Sequence, residues 1–177
     1  MKLRPSGLYR PLVRAVKDRD LYLVHLAHVI SVAGFNLLFW KPINSINLSP
    51  PGDRTIIEAS SQTALVYVMP VQVFFEEVAT RFFPLIILGL WERRFKWRAN
   101  RWLVCLVLGV AFGLLHLTNV TADQYGLSVP YIAMISISGF FYVYMYQRWG
   151  LAGCWYSHTL YNESLLLAAI VTGRNVS

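Results

Sequence analysis

The sequence predicts an all-α fold, a multi-pass transmembrane helical bundle with about five membrane segments, the second of them kinked or broken. Three observations predict it. Of 177 residues, 56% are hydrophobic and only 14% are charged, against about 25% charged in ordinary soluble domains. The apolar residues fall in runs near or above the ~20 residues a helix needs to cross the hydrocarbon. Basic residues collect in alternate connections between those runs, the pattern of topology signals rather than of a nucleic-acid surface. Inside a bilayer only helices satisfy all their own backbone hydrogen bonds, so apolar runs of this length imply helices.

The first 20 residues form a basic, cytoplasmic N-terminus with Lys2, Arg4, Arg10, Arg14, Lys17 and Arg19, and no cleavable signal peptide is visible. Residues 21–58 hold the first transmembrane helix, about Leu21 to Trp40, and an outer loop. The next apolar run, about Ala59 to Trp91, is too long for one straight span and holds Pro70 and Pro84, so a break near one of them is expected. Further segments follow at about Arg101 to Leu117, Val129 to Gln147 and Leu151 to Thr172, and residues 173–177 are a tail. The connection after Trp91 carries Arg93, Arg94, Lys96, Arg98 and Arg101, whereas Thr118 to Ser128 carries no basic residue. Five crossings then leave the N-terminus cytoplasmic and the C-terminus outside, in the cell (inner) membrane. Trp40, Trp91, Trp97, Trp102 and Trp149 stand near segment ends as interfacial anchors. His25 and His28 read as interfacial residues at the inner end of the first helix. Cys105 and Cys154 read as free buried thiols.

Three polar groups interrupt the apolar segments, where ionisable side chains cost roughly 2.5–3.5 kcal/mol each at a helix centre. The first is Glu76-Glu77 with Arg81. Glu77 and Arg81 are four apart in the favourable order and form a helix-face ion pair. Glu76 is turned about 100° from its neighbour and has no partner close in sequence, which makes it a candidate base. The second is Phe112 with His116. Gly109 and Gly113 alongside allow another helix to pack closely. The third is His158 with Asn162 on one helix face. Taken singly, each group also reads as interhelical packing. Converging in one bundle interior, they fit peptide hydrolysis, which needs a water, a base and donors for an oxyanion. Glu76 and His116 suit the first task, His158 and Asn162 the second, with Glu77 and Arg81 in support. No His-Glu-x-x-His site occurs, and no Gly-Asp pair lies in a membrane segment. Ser138-Gly139 with His158 makes only a weak serine dyad.

Together these motifs, Glu76-Glu77-x-x-x-Arg81, Phe112-x-x-x-His116 and His158-x-x-x-Asn162, resemble the CPBP family, which includes the type II CAAX prenyl endopeptidases and the bacterial Abi-type processing proteases. All three occur in order on separate segments, between about Val71 and Leu167. The resemblance implies a catalytic core over residues 59–172 and an intramembrane glutamic endopeptidase. It implies Glu76 and His116 as water activators and His158 and Asn162 as oxyanion donors. It implies no cofactor, the alternative being a divalent metal such as zinc. Its partners would be a membrane-anchored protein or peptide substrate and the lipid bilayer, with no nucleic acid. The depth of His116 in its segment exceeds that of His158 by ~10 Å at 1.5 Å per residue, so a tilt or kink is expected to bring them together. The alternative reading is a non-catalytic membrane scaffold or a bacteriocin-immunity-type protein. A small transporter is disfavoured by the lack of an inverted repeat.

Overall fold

A computed structural model describes residues 12–39, 62–120 and 122–172. The expected outer loop, the Trp40 anchor and the 173–177 tail lie outside them. Among the described residues every regular element is helical: α1 (Leu12–Val16), α2 (Arg19–Leu38), α3 (Gln62–Glu77), a π turn (Val78–Phe82), α4 (Phe83–Phe95), α5 (Arg101–Leu115), 3₁₀ turns at His116–Asn119 and Ala122–Leu127, and α6 (Val129–Thr172). Three stretches are long and apolar enough to cross a membrane: Arg19–Leu38, Arg101–Asn119 and Val129–Ala168. Their outward faces carry Leu26, Ile30, Leu103, Leu106, Val107 and Leu114, all exposed. So much apolar surface suits hydrocarbon and not water.

Local chemistry sets the boundaries. The carboxylate of Asp18 accepts from Asp20 N at 3.1 Å and caps α2. Asn100 caps α5 by accepting from Trp102 N and Leu103 N. The α4 helix stops at Lys96, which adopts a left-handed φ of 52°. α6 is longer than any bilayer is thick, and it is interrupted at Gly150, with φ 74° and ψ −171°. A side chain is strained there, and glycine is not. The break divides α6 into arms 129–149 and 151–172 that lie side by side, since the Cys154 thiol reaches Tyr142 O at 3.2 Å. The turn expected around Arg148 is therefore present.

The hinge of this hairpin is fastened to the start of α2. Arg148 Nη2 donates to Asp20 Oδ2 at 2.6 Å, and Trp149 Nε1 donates to Asp18 Oδ2 at 2.8 Å. Trp149 is fully buried, which corrects its reading as an interfacial anchor: an indole N–H with a carboxylate partner can leave the interface. Trp91, Trp97 and Trp102 are exposed, as anchors should be.

The α5 helix packs on the first arm of α6 at very short range. A Cβ on Gly109 would stand 2.7 Å from Phe140 N, and one on Gly139 would stand 2.9 Å from Gly109 Cα. Gly109 thus serves the close helix approach expected of it. The break in the second apolar run falls on the π turn Val78–Phe82, immediately before Pro84 in the first turn of α4, whereas Pro70 stays inside α3.

Candidate functional site

The π turn sits directly after the two glutamates. A π turn adds a residue to the helical repeat, and here it carries Arg81 inward below Glu77. Glu77 and Arg81 are both wholly buried and paired, Arg81 Nη1 lying 2.9 Å from Glu77 Oε1. Their pairing matches the four-residue spacing. Two further donors from α6 converge on the same carboxylate. His158 Nδ1 lies 2.7 Å from Oε1, and Cys154 Sγ donates to Oε2 at 2.7 Å. Three donors thus converge on a carboxylate with about four acceptor positions, which helps keep a buried charge tolerable. The rest of the guanidinium lies against a ring, with Arg81 Cζ 3.8 Å from the Phe112 centroid.

Glu76 stands in a different environment. Its side chain is 26% exposed and faces His116, 25% exposed, with 3.9 Å between Oε1 and Nε2. His116 lies just past the end of α5, and its Nδ1 is 2.9 Å from Phe112 O. Since a carbonyl only accepts, Nδ1 carries a proton, and in the neutral ring Nε2 presents a lone pair toward Glu76. Two acceptors at this distance cannot bond each other. One water donating to both with ordinary geometry would hold them about 4.4 Å apart, so the observed spacing is within ~0.5 Å of a shared-water arrangement.

The two histidines, expected at different depths from the sequence count, reach adjacent residues of one helix. His158 meets Glu77, while His116 meets Glu76. Phe112, one turn from His116, spans the space between them: its ring centroid is 4.7 Å from that of His116 and 6.1 Å from that of His158. Asn162 is half-buried on the His158 arm and makes no hydrogen bond among the described residues. Glu76, Glu77, Arg81, Phe112, His116 and His158 are thus gathered at one place in the bundle. Asn162 shares the helix face of His158 but joins no contact with the others.

Several neighbours carry no local sequence signal. Tyr142 stacks on His158 with centroids 4.2 Å apart and 24° between planes. His28 packs edge-on against Tyr142 at 4.9 Å, and its Nε2 pairs with Ser138 Oγ at 3.1 Å. His25 Nδ1 pairs with Ser157 Oγ at 2.6 Å. The interfacial reading of these two histidines is corrected here: His28 is fully buried, and the α2 face that carries both is turned to α6, with serines supplying their partners. The signal was available in part, for His25, His28 and Val32 follow helical spacing on one face. Cys154 is a buried free thiol, as expected, but its bond to Glu77 spans 77 residues.

Among the described residues, no group of three or more His, Cys, Asp or Glu side chains is placed to hold a metal ion. Comparison with the curated proteins and with the solved structures returns no match. The family model described as type II CAAX prenyl endopeptidase Rce1-like matches residues 59–163, a stretch that begins just before α3, takes in both glutamates, Arg81, Phe112, His116, His158 and Asn162, and covers more than half of the chain. The chain belongs to the Rce1-like type II CAAX prenyl endopeptidases, and is a membrane protein of protease type.

Proposed function

We propose that this chain is a glutamic intramembrane endopeptidase in which Glu76 and His116 activate the attacking water and His158 and Asn162 stabilise the oxyanion. The observation that carries this reading is the Glu76–His116 pair, 3.9 Å apart and partly accessible beside a fully buried ionic network. A water between them donates one hydrogen to Glu76 Oε1 and one to His116 Nε2. Glu76 takes its proton as the oxygen attacks the scissile carbonyl carbon. The tetrahedral oxyanion collapses, the C–N bond breaks, and the same proton passes to the leaving amine.

Glu77 and Arg81 act on geometry. Glu77 holds His158 by Nδ1, which fixes the ring and leaves Nε2 to face substrate. With Nδ1–H directed at Glu77, donation from Nε2 to an oxyanion requires the ring to carry both protons. The Glu77 carboxylate faces that cation, as a buried acid faces a catalytic histidine in hydrolase triads. The Asn162 amide, which makes no side-chain hydrogen bond among the described residues, supplies the second donor. No step is routed through a metal.

The substrate in this reading is a membrane-anchored protein or peptide, such as a prenylated tail, a sorting tail or a leader-bearing peptide. The basic connection after α4 faces the cytoplasm of a cell membrane. The test is cleavage of a prenylated CAAX peptide and of a leader-peptide reporter by the reconstituted protein. Glu76→Gln is expected to lower turnover by roughly 10²–10⁴-fold with unchanged membrane yield, and a chelator is expected to leave wild-type turnover intact. Full processing by Glu76→Gln would refute the base. Loss of activity with chelator, restored by zinc, would refute the metal-free mechanism.

A further inference from the structure

A groove of about 510 Å³ runs between α4 and α5, away from the glutamates, and is lined by Pro84, Ile87, Trp91, Trp97, Val104 and Leu108 among others. That volume is in the range of small-molecule sites, and its walls are apolar except for Asn100. Its mouth is the connector between the helices. There the chain turns through left-handed Lys96 and exposes Arg93, Arg94, Lys96 and Arg98 within one turn of Trp91 and Trp97. Among the described residues none of these four forms an ion pair. The one acid of the connector is engaged, Glu92 Oε1 accepting from Ala99 N at 2.7 Å. Arg101 points elsewhere, over the rings of Trp102 and Tyr144.

An apolar trough with exposed cations at its connector end, unpaired among the described residues, complements one kind of molecule: an amphiphile with an anionic head. We propose that this groove binds a single anionic phospholipid, its acyl chain against Ile87, Val104 and Leu108 and its phosphate among Arg93, Arg94, Lys96 and Arg98. Tryptophans 91 and 97 sit at the level of the ester groups, where indole rings belong, and the basic cluster attracts anionic lipid. The proposal is independent of the proteolytic chemistry.

The test uses the full chain in neutral detergent, titrated with chain-brominated phosphatidylglycerol or phosphatidylcholine while tryptophan emission is read. The anionic lipid is expected to half-quench at about tenfold lower mole fraction, a factor that the attraction of little more than one basic side chain supplies. Trp91→Phe with Trp97→Phe is expected to remove most of that quenching. The pairs Arg93→Gln/Arg94→Gln and Lys96→Gln/Arg98→Gln are each expected to reduce the preference. Those charges also guide insertion, so Ile87→Phe/Val104→Phe serves as a charge-preserving variant that fills the trough and is expected to weaken anionic-lipid quenching. Equal quenching by both lipids would mean ordinary bilayer contact and overturn the proposal. So would a preference that survives filling of the trough, or one that inorganic phosphate alone abolishes.

Discussion

Replacing Glu77 by Gln should strongly destabilise the bundle, while replacing Glu76 by Gln should leave it stable and inactive. The side chain of Glu77 has no exposure and holds three donors, from Arg81, His158 and Cys154. Glutamine matches its size but removes the charge, and its NH₂ must face either Arg81 and His158 or the weakly accepting sulfur of Cys154. Arg81, equally buried, is then an uncompensated cation in the bundle interior. Breaking a buried pair from one side costs about 3–5 kcal/mol. At roughly 2–4 °C per kcal/mol for a chain of this size, the melting temperature in detergent should fall by about 6–20 °C. Glu76 is 26% exposed and its ion-pair distance to the nearest histidine is a long 3.9 Å, so Gln there should shift stability by no more than about 0.5 kcal/mol. The assay is thermal unfolding in detergent beside peptide turnover, on the two variants in parallel. Equal destabilisation by both substitutions would refute the division of labour between adjacent carboxylates. So would a stable Glu77→Gln protein.

Three further outcomes follow from the packing. Cys154→Ala should cost about 1–3 kcal/mol by leaving Glu77 Oε2 without its donor, and Cys154→Ser should recover most of it, read as melting temperature. Gly109→Ala should force α5 off α6, since the new Cβ meets Phe140 N at 2.7 Å and Ser136 O at 2.9 Å; a loss of about 1–3 kcal/mol and lower membrane yield are expected, and wild-type stability would contradict the close approach. His28→Ala should cost about 2–4 kcal/mol through the cavity beneath Tyr142 and the orphaned Ser138 hydroxyl, and a melting temperature within 1–2 °C of wild type would show that α2 does not brace the site.

The parts of this molecule legible in its sequence are those governed by local spacing. Apolar length marks α2, α5 and both arms of α6. Four-residue spacing marks the Glu77–Arg81 pair, and small residues four apart mark the close approach of α5 to α6. Spacing cannot rank two adjacent glutamates by burial. That ranking depends on which one faces Cys154 and His158, residues 77 and 81 positions away. Nor does spacing reveal that His28 lies under Tyr142, because the contact exists only once α2 has docked across the hairpin of α6. The same limit explains why an interfacial position was expected for Trp149: proximity to a segment end is visible in one dimension, whereas Asp18 as its acceptor is not.

These non-local contacts also determine how the site is divided. A carboxylate that must bind a proton and release it needs a neighbour that can exchange protons and a path for water. In the proposed mechanism Glu76 takes that part, itself 26% exposed and 3.9 Å from a partly exposed histidine. Glu77, ringed by a guanidinium, an imidazole and a thiol, has no exposure to water, and adding a proton there would strand Arg81 in a nonpolar interior. The second glutamate therefore anchors Arg81 and His158 in the interior, and the first is left partly exposed beside His116. A sequence with a single glutamate at this point of the helix would have to give up either the anchor of Arg81 and His158 or the carboxylate that faces His116.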